Sequence, residues 1–80
     1  MEHFINFIDF ISKNLVDNPD NVVVEAKQPE DNKVVVTLKV GAEDVGKVIG
    51  KQGKTAKAMR TLLTAIAAKE GKKSILEILD

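Results

Sequence analysis

The sequence has no cysteine, tryptophan or tyrosine, and its three phenylalanines, Phe4, Phe7 and Phe10, all fall in the first ten residues. Without cysteine there is no disulfide framework, zinc ribbon or thiol nucleophile. That usage fits a reducing compartment, and a cytoplasmic location is expected. The longest apolar runs fall far short of the roughly 18 residues that span a bilayer, so no membrane role is expected. The start, Met1-Glu2-His3, lacks the basic-then-apolar shape of a secretory signal. His3 is the single histidine, and the carboxylates are scattered. No histidine–carboxylate–nucleophile set and no metal-ligand cluster can be assembled from them, so the expectation is a non-enzyme with no metal and no cofactor. Eighty residues make one small domain, 1–80, with room for only a modest core.

What is present is unevenly distributed. The formal net charge is zero, but residues 1–32 hold two basic groups against seven acidic ones, and residues 33–73 hold ten basic against three acidic. A local basic field attracts polyanions even when the whole molecule is neutral. The plainer reading is that the lysines keep a helix soluble.

Apolar periodicity sets out the elements. Phe4, Ile8, Ile11 and Leu15 recur at helical spacing over residues 2–17, with Ile5, Phe7 and Phe10 widening the stripe. One narrow face does not bury all seven, and Phe7 and Phe10 are the surplus expected at a dimer or protein contact. Asn18-Pro19-Asp20-Asn21 stops the helix. Val22-Val23-Val24 opens a strand, Gln28 to Asn32 is a polar turn, and Lys33 to Val40 alternates as a half-buried strand does. Ala42 to Ile49 suits a short helix with Glu43 and Asp44 in its first turn, where the macrodipole favours acids. A longer helix is predicted from Lys54 to Lys69, burying Ala56, Met59, Leu62, Leu63 and Ile66, closed by Gly71. Ser74 to Leu79 is a last strand. The order α-β-β-α-α-β implies an α+β fold, a three-stranded mixed sheet with three helices on one face.

The two predicted helices after the hairpin meet at Gly50-Lys51-Gln52-Gly53. Glycines expose backbone amides, a helix start leaves several amides without partners, and that pairing is an anion site. Lys47, Lys51, Lys54 and Lys57 surround the loop, with apolar Val45, Val48 and Ile49 beside them. That combination suits a sugar–phosphate strand held at the loop with bases on an apolar groove. Gly46, inside the short helix, costs about 1 kcal/mol against alanine; it admits a nucleotide, a neighbouring helix, or both. Lys57 and Arg60 are either phosphate contacts or part of a solvated helix face. Gly53-Lys54-Thr55 is not a nucleotide-hydrolase loop, because Val48 stands where that pattern needs glycine.

Val48-Ile49-Gly50-Lys51-Gln52-Gly53, an aliphatic pair followed by GxxG, resembles the KH-domain signature, and the element order around it resembles the type II arrangement. The longer run Asp44 to Arg60 is similar to the small bacterial KH proteins of the KhpA type. The resemblance covers the whole chain. It implies single-stranded RNA binding, with the loop clamping about four nucleotides, and a role as an RNA chaperone or post-transcriptional regulator. It implies a homodimer, or a heterodimer with the larger KH protein KhpB, and a link to cell shape and cell-wall biogenesis. Carried over residue by residue, Gly50 and Gly53 become backbone donors, Lys51 and Gln52 loop contacts, and one of Val48 and Ile49 the groove floor while the other enters the core. The final strand becomes the groove's other wall. The sequence departs from general expectation in having no aromatic residue near the loop, so base stacking on rings is missing there.

Overall fold

A computed structural model describes residues 1–79. Helix α1, Glu2–Leu15, leads through a 3-10 turn at Pro19–Asn21 into strands β1, Val23–Glu30, and β2, Lys33–Lys39. A 3-10 turn at Ala42–Asp44 precedes helix α2, Val45–Ile49. The loop 50–53 connects it to helix α3, Lys54–Ala68, and strand β3, Lys73–Leu79, ends the fold.

The sheet order is β1-β2-β3, with β1 antiparallel and β3 parallel to the central β2. The three helices and this mixed sheet make the type II KH arrangement. Side chains alternate across a strand, so Val34, Val36 and Leu38 of β2 and Leu76 of β3 all turn inward and are buried. Phe4 and Ile8 of α1, Val48 of α2 and Met59, Leu63 and Ala67 of α3 close over them. The outward row is left exposed, Val23, Ile75 and Leu79 among it.

The α1 stripe differs from expectation at its far end. Leu15 is exposed because the helix stops there, and Ser12 takes an inward position instead. Phe10 is 70% exposed, whereas Phe7 packs against the core. On α3 the buried set is Ala56, Met59, Leu63 and Ala67, and Leu62 is half exposed. The periodic stripe admitted Leu62, but the face pressed on the sheet is centred on Leu63, about 100° around the helix. The α3 end is closed by paired bonds, Lys72 N–H to the Ala67 carbonyl (3.0 Å) and Gly71 N–H to that of Ala68 (3.0 Å), the Schellman pattern. The hairpin is tighter than the polar run suggests: Gln28, Pro29 and Glu30 belong to β1, with an irregular register between Lys27 and Glu30. No described helix is long and apolar enough to cross a membrane.

Candidate functional site

The loop between α2 and α3 is built on unusual backbone. Gly50 has φ +79° and ψ 172°, Gln52 φ +59° and Gly53 φ +73°. Gly50 is required twice over. Its dihedrals fall in a region essentially closed to side chains, and an added Cβ would lie 2.2 Å from the Thr55 Oγ1 and 2.9 Å from the Thr55 amide nitrogen. Thr55 therefore sits directly on the loop and fixes its angle to α3.

The backbone bonds revise the donor assignment. Gly50 N–H donates to the Gly46 carbonyl (2.9 Å), and Gly53 N–H to that of Gly50 (3.0 Å), so both glycine amides are spent inside the chain. Lys54 N–H donates to the Lys51 carbonyl. These bonds leave aside the amides of Lys51 and Gln52, and no side chain caps the start of α3. The glycines thus shape the turn, and the donors they free belong to their neighbours. Unpaired amides beside an uncapped helix start make an anion site. Lys51, Gln52, Lys54 and Lys57 stand exposed around it.

Val48 is fully buried and Ile49 is 38% exposed, which settles which of the pair enters the core. Gly46 is exposed, and a Cβ there would meet nothing within 4 Å. It is therefore not explained by tight helix packing. Helical geometry puts Gly46 and Ile49 within about 60° of each other on α2, and Lys47 about 160° from Ile49.

Lys47 does not join the loop lysines. It is ion-paired with Asp17 and lies 3.6 Å from the Asp44 Oδ1. Asp44 stands at the helix start, where the sequence places it, but its role there goes beyond the macrodipole. It is fully buried, and it accepts the backbone amides of Asp17 (3.2 Å) and Asn18 (3.0 Å). Burial pushes its carboxyl up, but those two amides, Lys47 and the Asn18 side chain outweigh that, and the net shift is downward. The Lys47 ammonium is held above its usual range, chiefly by its bond to Asp17. Asp44 is thus an anchor that fastens the exit of α1 to the entry of α2. Only the Asp-x-x-Lys spacing hinted at it.

A second feature lies beside α3. Arg60 Nη2 donates to the Leu76 carbonyl of β3 (3.3 Å). A cavity of about 280 Å³ opens there, lined by Arg60, Leu63, Thr64, Ser74, Ile75 and Leu76. β3 has a strand on one side only, so this carbonyl belongs to its free edge. His3 is bonded to Glu70 across the ends of α1 and α3, which makes it a structural link. No group of histidine and carboxylates among the described residues could hold a metal ion.

Residues 5–78 match the family described as KhpA/KhpB, KH domain. The chain is 49% identical over 72 residues to the RNA-binding protein KhpA of Clostridium perfringens, covering 90% of this chain and 95% of that protein. It is 48% identical over 75 residues to the protein of the same name from Aquifex aeolicus, covering 94% of each, and 52% identical over 69 residues to that of Caldanaerobacter subterraneus, covering 86% and 91%. No solved structure matches it. With a fold, a loop and an identity that agree over nearly the whole length, the chain belongs to the KhpA/KhpB KH-domain family.

Proposed function

We propose that this chain binds single-stranded RNA, with the loop 50–53 holding the sugar–phosphate chain. The observation that carries the reading is the loop itself. Its positive-φ turn spends the glycine amides internally and leaves those of Lys51 and Gln52 beside an uncapped helix start. Lys51, Lys54 and Lys57 supply positive charge along it. Ile49 and the bare Gly46 give the strand an apolar, open flank. Val48 supports the loop from the core, and Lys47 serves the Asp44 anchor. That relatives of this length are named for RNA binding supports the same reading. In the cell the protein acts as an RNA chaperone or post-transcriptional regulator in the cytoplasm, as a homodimer or with KhpB, in pathways of cell shape and wall growth.

The test replaces Lys51 and Gln52 by Asp together and measures binding to mixed-sequence single-stranded RNA by fluorescence anisotropy. Binding is lost and the melting temperature is unchanged, because neither side chain is buried. Binding that survives the double change sinks the loop assignment. With about three phosphates neutralised, log affinity falls with log salt at a slope near −2, a roughly 16-fold loss from 50 to 200 mM.

A second reading, a module that docks protein and scarcely touches RNA, is favoured by one observation: Phe10 is 70% exposed and Leu62 50%. It predicts a flat salt response and loss of partner binding when these two are made polar.

A further inference from the structure

Asp44 begins α2, and an acid at a helix start ordinarily accepts amides of its own first turn. Asp44 caps none of them. Its two oxygens go instead to the chain leaving α1, to the amides of Asp17 (3.2 Å) and Asn18 (3.0 Å), with the Asn18 side-chain nitrogen at 3.4 Å. That side chain also donates to the Glu43 Oε1 (2.8 Å), and Lys47 closes the cluster against Asp17 and Asp44. We infer that Asp44 is a positioning residue for RNA: by tying α2 to the exit of α1, it sets where the amides of Lys51 and Gln52 point and so governs affinity without touching the ligand. This rests on the RNA-binding reading and extends it from the residues that meet phosphate to one that aims them.

The helix that carries the loop does not hold its own direction. Five residues are far too few for a helix to persist alone. Of its apolar side chains only Val48 is fully buried, while Val45 is partly buried and Ile49 exposed. Val48 fixes one point on the helix. Asp44, a turn earlier, fixes the second, and two points set an axis. The base to which Asp44 is tied also depends on the tie. Ser12 is buried with no partner for its hydroxyl, and Leu15 is exposed, so apolar contact grips the end of α1 weakly.

The loop opens at Gly50, about 9 Å along the axis from Asp44. A tilt of about 10° carries its amides about 1.5 Å, whereas hydrogen-bond lengths span only about 2.7 to 3.2 Å. Asp44 is fully buried and its oxygens face donors of this chain, so no phosphate reaches it. Any effect on RNA therefore passes through α2.

The experiment uses the full chain and a mixed-sequence single-stranded RNA octamer, with affinity read by anisotropy well below the melting temperature. Asp44→Asn keeps the shape but offers one acceptor oxygen where two amides need two. It loses RNA affinity roughly 5- to 30-fold, and its salt slope is unchanged because every phosphate contact remains. Val34→Ala is the control, a fully buried position at the end of β2 remote from α2. It lowers the melting temperature and leaves affinity as it was. In the amide spectrum, the resonances of Lys51 and Gln52 shift or broaden in Asp44→Asn and hold their places in Val34→Ala. Asn18→Ala removes only side-chain bonds at an exposed residue. It folds, costs roughly 2- to 5-fold in affinity, and decides the matter if Asp44→Asn does not fold. Full affinity in the folded variants overturns the inference. So does an equal loss in Val34→Ala, which makes Asp44 a stability residue only. A shallower salt slope in Asp44→Asn overturns it too, because a phosphate contact has then been lost. If the unchanged protein binds no octamer, the RNA reading itself fails and the inference falls with it.

Discussion

Lys47 and Lys51 stand four residues apart on either side of Gly50 and have opposite fates. Lys47, on the back of α2, is held by Asp17 and Asp44. Lys51, in the loop, is exposed and forms no ion pair among the described residues. Both contribute equally to the basic excess of residues 33–73. The difference lies in acids that arrive from elsewhere: Asp17 is thirty positions before Lys47. A local count of charge describes a field, whereas the partners supplied by the fold decide which charges remain free to meet a ligand.

Gly50 separates these two environments, and replacing it gives the largest effect expected. Gly50→Ala places a methyl group against Thr55 in a backbone conformation closed to alanine. Strain and overpacking together cost about 2–5 kcal/mol, a fall in melting temperature of roughly 10–30 °C for a domain of this size. Adding Thr55→Ala recovers only the part due to the Thr55 Oγ1, because the Cβ of residue 55, 2.6 Å from the added methyl, remains. A Gly50→Ala protein that melts normally would show that the turn has another way to form.

The Lys47 side is broken next through its anchor. A carboxyl whose folded pKa is depressed stabilises the fold above its unfolded pKa, and that contribution is lost as pH falls through the folded value. Asp44 and Glu70 are both of this kind, Glu70 chiefly through its bond to His3. Stability therefore declines below about pH 4. Asp44→Asn lowers the melting temperature at pH 7 and flattens that acid limb, since the titrating group is gone. An unchanged acid limb in the variant would place the dependence elsewhere.

The comparison itself is tested by neutralising each lysine. Lys51→Gln lowers RNA affinity a few-fold and makes the salt slope shallower by about 0.7, the share of one phosphate on a single strand. Lys47→Gln shifts the melting temperature by a few degrees and leaves the salt slope unchanged. Equal slopes for the two variants would erase the distinction between back and loop.

What the sequence made legible was whatever depends on near neighbours. Element order, the strand alternation of Val34, Val36 and Leu38, and the glycine-bounded loop all follow from spacing within a few residues. The exposure of Leu62 was not legible, because it sits only about 100° from the Leu63 face and apolar content alone cannot choose between them. Asp44 was read only as a helix-start acid because its partners, the amides of Asp17 and Asn18, lie 27 and 26 positions away. The bond from Arg60 to Leu76 crosses between two elements in the same way. Likewise, glycines in a loop announce a turn, but not whose amides the turn leaves free.

Gln52 carries the smallest effect and the finest distinction, between a loop that works through its side chains and one that works through its backbone. It is the one non-glycine residue with positive φ among those described. That conformation costs an L-residue about 1–2 kcal/mol, and glycine relieves it while giving back about 0.5–1 kcal/mol in chain entropy. Gln52→Gly is therefore neutral to stabilising, by at most about 1.5 kcal/mol. If the amides of residues 51 and 52 hold the phosphate, its RNA affinity stays within about twofold, because both of those donors remain. A tenfold loss with an intact melting curve would transfer the contact to the glutamine side chain. It would also turn Gln52's positive φ from an incidental cost of the turn into the device that aims that side chain at the RNA.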